Sequence, residues 1–175
     1  MTQGTTQTTN RDSTFKQIVA LILFVGIPQA VGFLGSQLTQ DETDGWYEQA
    51  DRAPWTPPDA VFGPVWTVLY LSMGVAAWLV WRRRHSVNAK LALTLFVVQL
   101  VLNGIWSPLF FGGYPVMGTA ALWAAMVLIV VLIVAIAATI WRFWPISRLA
   151  GVLLLPYLAW TVYASTLNLY IALMN

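Results

Sequence analysis

The stretch VMGTAALWAAMVLIVVLIVAIAATIW, residues 116–141, carries no charged side chain and is apolar on every face. A helix needs about 20 such residues to cross the hydrocarbon of a bilayer, so this segment reads as a membrane-spanning helix. A transmembrane β-strand would instead alternate apolar and polar positions over about ten residues, and no such alternation is present.

Four more runs share the pattern, at about residues 18–38, 61–81, 91–111 and 149–174, and none contains Asp, Glu, Lys, Arg or His. The whole chain is 58% hydrophobic and 9% charged, too little polar surface to cover a water-soluble fold of 175 residues. The expected fold class is therefore an all-α membrane protein, a five-transmembrane-helix bundle over residues 15–175. Residues 1–14, rich in Thr and Gln, read as a disordered polar tail without the apolar core of a secretory signal.

Basic residues collect on the cytoplasmic side of membrane proteins, close to the ends of the spans. Arg11 and Lys16 precede the first helix, Arg82, Arg83, Arg84 and Lys90 lie between the second and third, and Arg142 and Arg148 flank the last turn. The connection at residues 39–60 carries six acidic side chains against Arg52 alone. An odd number of spans satisfies this pattern, with the N-terminus cytoplasmic, the C-terminus opposite, and the protein multi-pass in a cell membrane. The net charge of +2 is then a topology signal, and no nucleic-acid partner is expected.

Function is expected at that long connection, because loops of this length in a compact bundle are usually functional. It combines Trp46, Tyr47 and Trp55 with Pro54, Pro57 and Pro58, and reads as a partly rigid lid. Pro28, Pro64, Pro108 and Pro156 fall in or at the spans and point to kinks around a pocket, since each frees a backbone carbonyl that the bundle must satisfy.

Trp78, Trp81, Trp141 and Trp144 sit at cytoplasmic helix ends, where an interfacial belt is expected. Others fall in stripes at helical spacing: Phe62, Trp66 and Tyr70; Gln99, Asn103 and Trp106; Tyr157, Trp160, Ala164, Leu167 and Asn168. Amides do not face lipid cheaply, so the stripes should turn inward. Two outcomes fit: an aromatic-lined cavity with a few hydrogen-bonding groups, or polar and aromatic packing that simply joins the helices.

Several chemistries lack their residues. There is no Cys, and His85, the one histidine, lies beside three arginines in a turn, so no metal site is expected. Ser and Thr in the spans have no His, Lys or carboxylate to activate them. Ion-coupled transport ordinarily uses intramembrane ionisable groups, which the spans lack.

A series of motifs runs in order along the chain: Trp46-Tyr47, Trp55-Thr-Pro-Pro58, Gly63-Pro-Val-Trp66, Leu69-Tyr70, Met73-Gly74, Gln99-Leu-Val-Leu-Asn103, Trp106-Ser-Pro108, Phe110-Phe-Gly112, Pro156-Tyr-Leu-Ala-Trp160 and Thr166-Leu-Asn168. In these the sequence, from about Phe15 to its end, resembles the translocator protein family, also called the tryptophan-rich sensory protein or peripheral-type benzodiazepine receptor family. The resemblance implies a five-helix bundle, commonly a homodimer, that binds porphyrins (protoporphyrin IX, haem), sterols and isoquinoline or benzodiazepine drugs. It also implies a pocket inside one bundle, beneath the first long loop. Small residues on the fourth helix, Ala120, Ala121, Ala124 and Ala125, permit close approach to another helix.

By that resemblance the ligand-binding residues include Tyr47, Trp66, Asn103, Trp160, Ala164 and Leu167, and from the loop and the stripes Trp55, Phe62 and Trp106 are expected beside them. The expected function is a membrane receptor or sensor for porphyrin or another hydrophobic small molecule, with a tetrapyrrole as ligand, no cofactor required, and membrane lipid around it. In some bacterial members light-driven porphyrin breakdown is assigned to tryptophans matching Trp66 and Trp160, which would then be catalytic. A lipophile transporter is the third reading, and a eukaryotic member would lie in the mitochondrial outer membrane. Two departures matter. The family's C-terminal sterol motif is broken, with Leu169 at the Tyr position, Tyr170 one residue late and no cation after it, and Trp123 stands where animal members can carry an acid. A tetrapyrrole is thus expected ahead of a sterol.

Overall fold

The structure, a computed structural model, describes the backbone from Thr5 and side chains from Thr14 to Asn175. The polar tail expected at residues 1–14 falls almost wholly outside the residues whose side chains are described. Five long helices form the fold, with no strand among the described residues: α1 (Thr5–Leu38), α2 (Asp59–Arg82), α3 (Lys90–Ser107), α4 (Thr119–Phe143) and α5 (Arg148–Met174). Each provides a stretch long and apolar enough to span a bilayer, in α1 from Thr14 to Leu38 and in α3 together with the turn that continues it to Gly112.

The helices close a ring in the order α1, α2, α5, α4, α3, with α3 returning to α1. Closure leaves an interior, and apolar side chains left outside face lipid. Val127, Val130, Val131 and Val134 of α4 are exposed, whereas Leu122, Ile129, Leu132 and Ile136 on its other face are buried.

Contacts at the two ends match the charge pattern. The Arg83 guanidinium donates to the carbonyl of Ile146, tying the α2–α3 turn to the α4–α5 turn at one end of the bundle. At the other end, Asp51 N donates to Asn175 Oδ1 at 3.0 Å and Asn175 Nδ2 returns a bond to the Asp51 carbonyl. The first end also holds the expected belt, in which Arg82, Arg84 and Arg142 lie over the rings of Trp78, Trp81 and Trp141.

The local structure adds three features to the sequence expectation. The fourth span is entered at Thr119, because Gly118 adopts φ 60°, a conformation that ends the short turn Tyr114–Met117 and that glycine takes without strain. The loop between α1 and α2 is partly helical, with turns at Gln40–Glu42 and Thr43–Tyr47. Of the four prolines, Pro28, Pro64 and Pro156 lie within continuous helices, and Pro108 begins a widened π turn, Pro108–Gly112.

The α1–α2 crossing depends on a missing side chain. A Cβ on Gly74 would stand 2.5 Å from the Phe24 carbonyl oxygen and 2.6 Å from Val25 Cα, both backbone atoms that cannot turn aside. Gly74→Ala is therefore expected to push α1 outward and lower stability by about 1–3 kcal/mol, the usual range for overpacking. The measurement is the thermal unfolding midpoint in detergent, and a midpoint equal to the parent's would show that α1 is not held at this crossing.

Candidate functional site

The α2 stripe supplies the first wall. Trp66 stacks on Tyr70 with centroids 5.2 Å apart and meets Tyr157 of α5 edge-on at 6.2 Å. Tyr70 reaches this place because residue 32 of α1 is glycine, where a Cβ would fall 2.1 Å from the Tyr70 ring. Its hydroxyl then donates to Asn103 Oδ1 of α3 at 2.7 Å.

The α3 stripe continues downward and upward from Asn103. Gln99 is buried deeper, its amide nitrogen 3.9 Å from the Met73 sulfur. Trp106 donates to Asn168 Oδ1 at 3.3 Å, and Asn168 Nδ2 donates to the Leu122 carbonyl at 3.1 Å, so one amide joins α3, α4 and α5. Past Ser107, Pro108 has no N–H to continue the ladder, and the backbone widens. That turn places Phe110 in the interior, 2% exposed and stacked on Trp106 at 5.0 Å.

The loop caps this arrangement. Gly45, at φ −98° and ψ −107°, breaks the turn Thr43–Tyr47 and lets adjacent aromatics face inward together. Trp46 stacks on Tyr114 at 4.1 Å and donates to the Phe111 carbonyl, while the buried Tyr47 meets Phe111 edge-on at 5.0 Å. Burial pushes the Tyr47 phenol above its ordinary pKa; nearby Arg52 opposes this and Asp59 adds to it. Tyr47 thus stays a neutral hydroxyl through and beyond neutral pH.

Between these walls lies a cavity of about 500 Å³. Eight of the nine expected ligand-binding residues line it: Tyr47, Phe62, Trp66, Asn103, Trp106, Trp160, Ala164 and Leu167. Both outcomes left open by the stripes are realised, at different depths. Gln99 packs inside the bundle, Asn168 bonds between helices while also lining the cavity, and the aromatics above them surround open space.

Trp55 is the exception. It does not line the cavity but lies half-exposed against the outer end of α5, donating to Thr166 Oγ1 at 3.2 Å. Its carbonyl accepts from the Tyr163 hydroxyl and its ring meets Tyr170 edge-on, so it fastens the loop and does not face the interior.

The sequence reading missed Phe110, Phe111 and the whole contribution of α1. Gly32, Gly35, Ser36 and Thr39 form part of the wall, and the recurrence of small residues at i, i+3, i+4 and i+7 was the available signal. Among the described residues no group of three or more His, Cys, Asp or Glu stands close enough to hold a metal.

Comparison with known proteins agrees with this architecture. The chain is 39% identical over 164 residues to tryptophan-rich protein TspO of Chlorobaculum tepidum, covering 91% of this chain and 98% of that one. It is 39% identical over 147 residues to the translocator protein of Homo sapiens, covering 83% of each chain. The tryptophan-rich sensory protein of Cereibacter sphaeroides is 34% identical over 147 residues, 84% of this chain and 85% of that one. The family model matches residues 24–174, which takes in every wall of the cavity, and the chain is a multi-pass membrane protein that belongs to the TspO/MBR family.

Proposed function

We propose that the protein is a membrane receptor or sensor that binds a tetrapyrrole such as protoporphyrin IX in this aromatic cavity. The observation that carries the reading is the cavity itself: about 500 Å³, walled by Phe62, Trp66, Tyr70, Trp106, Phe110 and Trp160. That volume lies inside the usual range of about 300–1,000 Å³ for small-molecule sites, and flat ring faces suit a flat conjugated macrocycle. His85 is exposed in the turn at the opposite end of the bundle, so haem would be held by stacking without an axial imidazole from this chain.

Sterol is the weaker ligand on two counts. Its expected motif is incomplete, and Tyr170 is engaged with Trp55 in holding the loop. A homodimer belongs to the same proposal: Ala121 and Ala125 are buried within the bundle, which leaves Ala120 and Ala124 on the outer face of α4 for a second copy. The charge pattern orients the cavity away from the cytoplasm.

Titration of the purified protein with protoporphyrin IX, haem and a sterol is the test. Protoporphyrin IX is expected to quench tryptophan fluorescence saturably, and the sterol to leave that quenching in place. Displacement of the porphyrin by sterol, or no saturable quenching, would overturn the reading.

One observation favours a second reading, light-dependent oxidative degradation of the porphyrin: Trp66 and Trp160 line the same cavity, which puts two indole electron donors beside any ring held there. Illumination in oxygenated buffer separates the two. A new absorbing product supports an enzyme, and bleaching at the lipid-only rate supports a receptor.

A further inference from the structure

We propose that Arg52 is a carboxylate clamp at the mouth of the aromatic cavity, selecting amphiphilic ring ligands that carry an acidic group; this rests on the tetrapyrrole reading above. A second, polar cavity of about 320 Å³ adjoins the first, lined by Arg52, Ala53, Thr56, Pro57, Pro58 and Asp59. Asp59 lines both cavities, and Tyr47, which lines the aromatic one, lies beneath the Arg52 guanidinium at 5.6 Å from its ring centre. Arg52 thus stands where the apolar chamber meets the loop.

Charge makes that place decisive. Among the described residues Arg52 is the one basic side chain on this end of the bundle, in a connection that also carries Asp41, Glu42, Asp44, Glu48, Asp51 and Asp59. A ring ligand with acid side arms can bury its ring but cannot leave its carboxylates unpaired in an apolar chamber. Held at the mouth, those carboxylates would find like charge on Asp44 and Asp59 and opposite charge on Arg52 alone. The guanidinium offers a planar fork that fits a carboxylate with two parallel hydrogen bonds.

The site already holds a carboxylate of its own. Arg52 Nη1 donates to Asp59 Oδ1 at 3.0 Å and to Oδ2 at 3.3 Å, and the Asp59 side chain is 70% exposed. An ion pair this exposed contributes little, so a ligand carboxylate can take the place of Asp59 at low cost. Asp59 keeps the guanidinium oriented over Tyr47 until that exchange.

The test compares protoporphyrin IX with its dimethyl ester, which keeps the ring and removes both negative charges. With the full chain in phosphatidylcholine nanodiscs, the free acid is expected to bind on the order of tenfold more tightly than the ester, the size of one charge-assisted hydrogen-bonded contact. Arg52→Gln is expected to bring the acid-to-ester ratio to one or below, and Arg52→Lys to restore part of it. Asp59→Asn is expected to raise the ratio a few-fold by removing the competitor. The clamp is overturned if Arg52→Gln keeps the parent ratio, or if the parent binds acid and ester equally. In the latter case the tetrapyrrole reading still stands, whereas failure of both ligands to bind the parent removes that reading and the clamp with it.

Discussion

Replacing Trp66 and Trp160 together with alanine is expected to weaken protoporphyrin IX binding on the order of a hundredfold. Stacking of a flat ring on one aromatic side chain is worth about 1–3 kcal/mol by alanine substitution, and 1.4 kcal/mol is tenfold in affinity. The two indoles come from different helices, α2 and α5, and both face the same cavity. Their losses will not add in full, because truncating either one widens the space that the other shares.

Folding should survive the double change. Both residues are only partly buried and pack on the edge of the core cluster that holds Met73, Ala77, Leu132, Ile136 and Leu154, so the double change lowers the unfolding midpoint but removes none of that cluster's buried members. Phenylalanine at both positions keeps ring faces and is expected to cost less than alanine. The measurement is a porphyrin titration by haem-free absorbance, with the unfolding midpoint as control. Parent-like affinity in the alanine double variant would place the ligand elsewhere.

How much of this site was visible in the sequence depends on the kind of contact. Spans and inward stripes follow from helical periodicity and the cost of amides in lipid, so Phe62, Trp66, Asn103 and Trp106 could be placed on shared faces before any coordinates. What periodicity does not carry is which helices become neighbours. The α1 wall depends on Gly32 and Gly74 admitting Tyr70 and the Phe24 backbone, and a glycine's absent side chain gives no signal of what will fill its place.

Local departures from helix geometry were hidden for a related reason. Phe110 continues the α3 stripe four residues after Trp106 and the reading stopped short of it, whereas Phe111 leaves that face if the helix stays regular and joins the cavity through the π turn that begins at Pro108. Trp55 misled in the opposite direction. It sits two residues from Pro57 in an aromatic loop, and nothing local distinguishes an indole that faces the interior from one that grips Thr166, Tyr163 and Tyr170 on the outer end of α5.

That difference between Trp46 and Trp55 yields the second large effect. The loop is fastened twice: by Trp46 among Tyr114, Phe110 and Phe111, and by Trp55 with Asp51 against the end of α5. Trp46→Ala removes a stacked ring, its edge contact with Tyr47 and the hydrogen bond to the Phe111 carbonyl. Truncating a packed tryptophan costs about 3–5 kcal/mol, and here the loss falls on a segment that otherwise has few buried contacts. The loop around residue 46 is therefore expected to open readily, carrying Tyr47 out of the cavity wall. Limited proteolysis should cut the variant within residues 39–58 much faster than the parent, and porphyrin affinity should drop with it. Trp55→Ala releases the other fastening while leaving Tyr47 seated, so it should also speed cleavage but cost far less affinity. If Trp55→Ala weakened porphyrin binding as deeply as Trp46→Ala, the ligand would have to reach α5 outside the cavity, and Tyr47 would not be the part of the loop it touches.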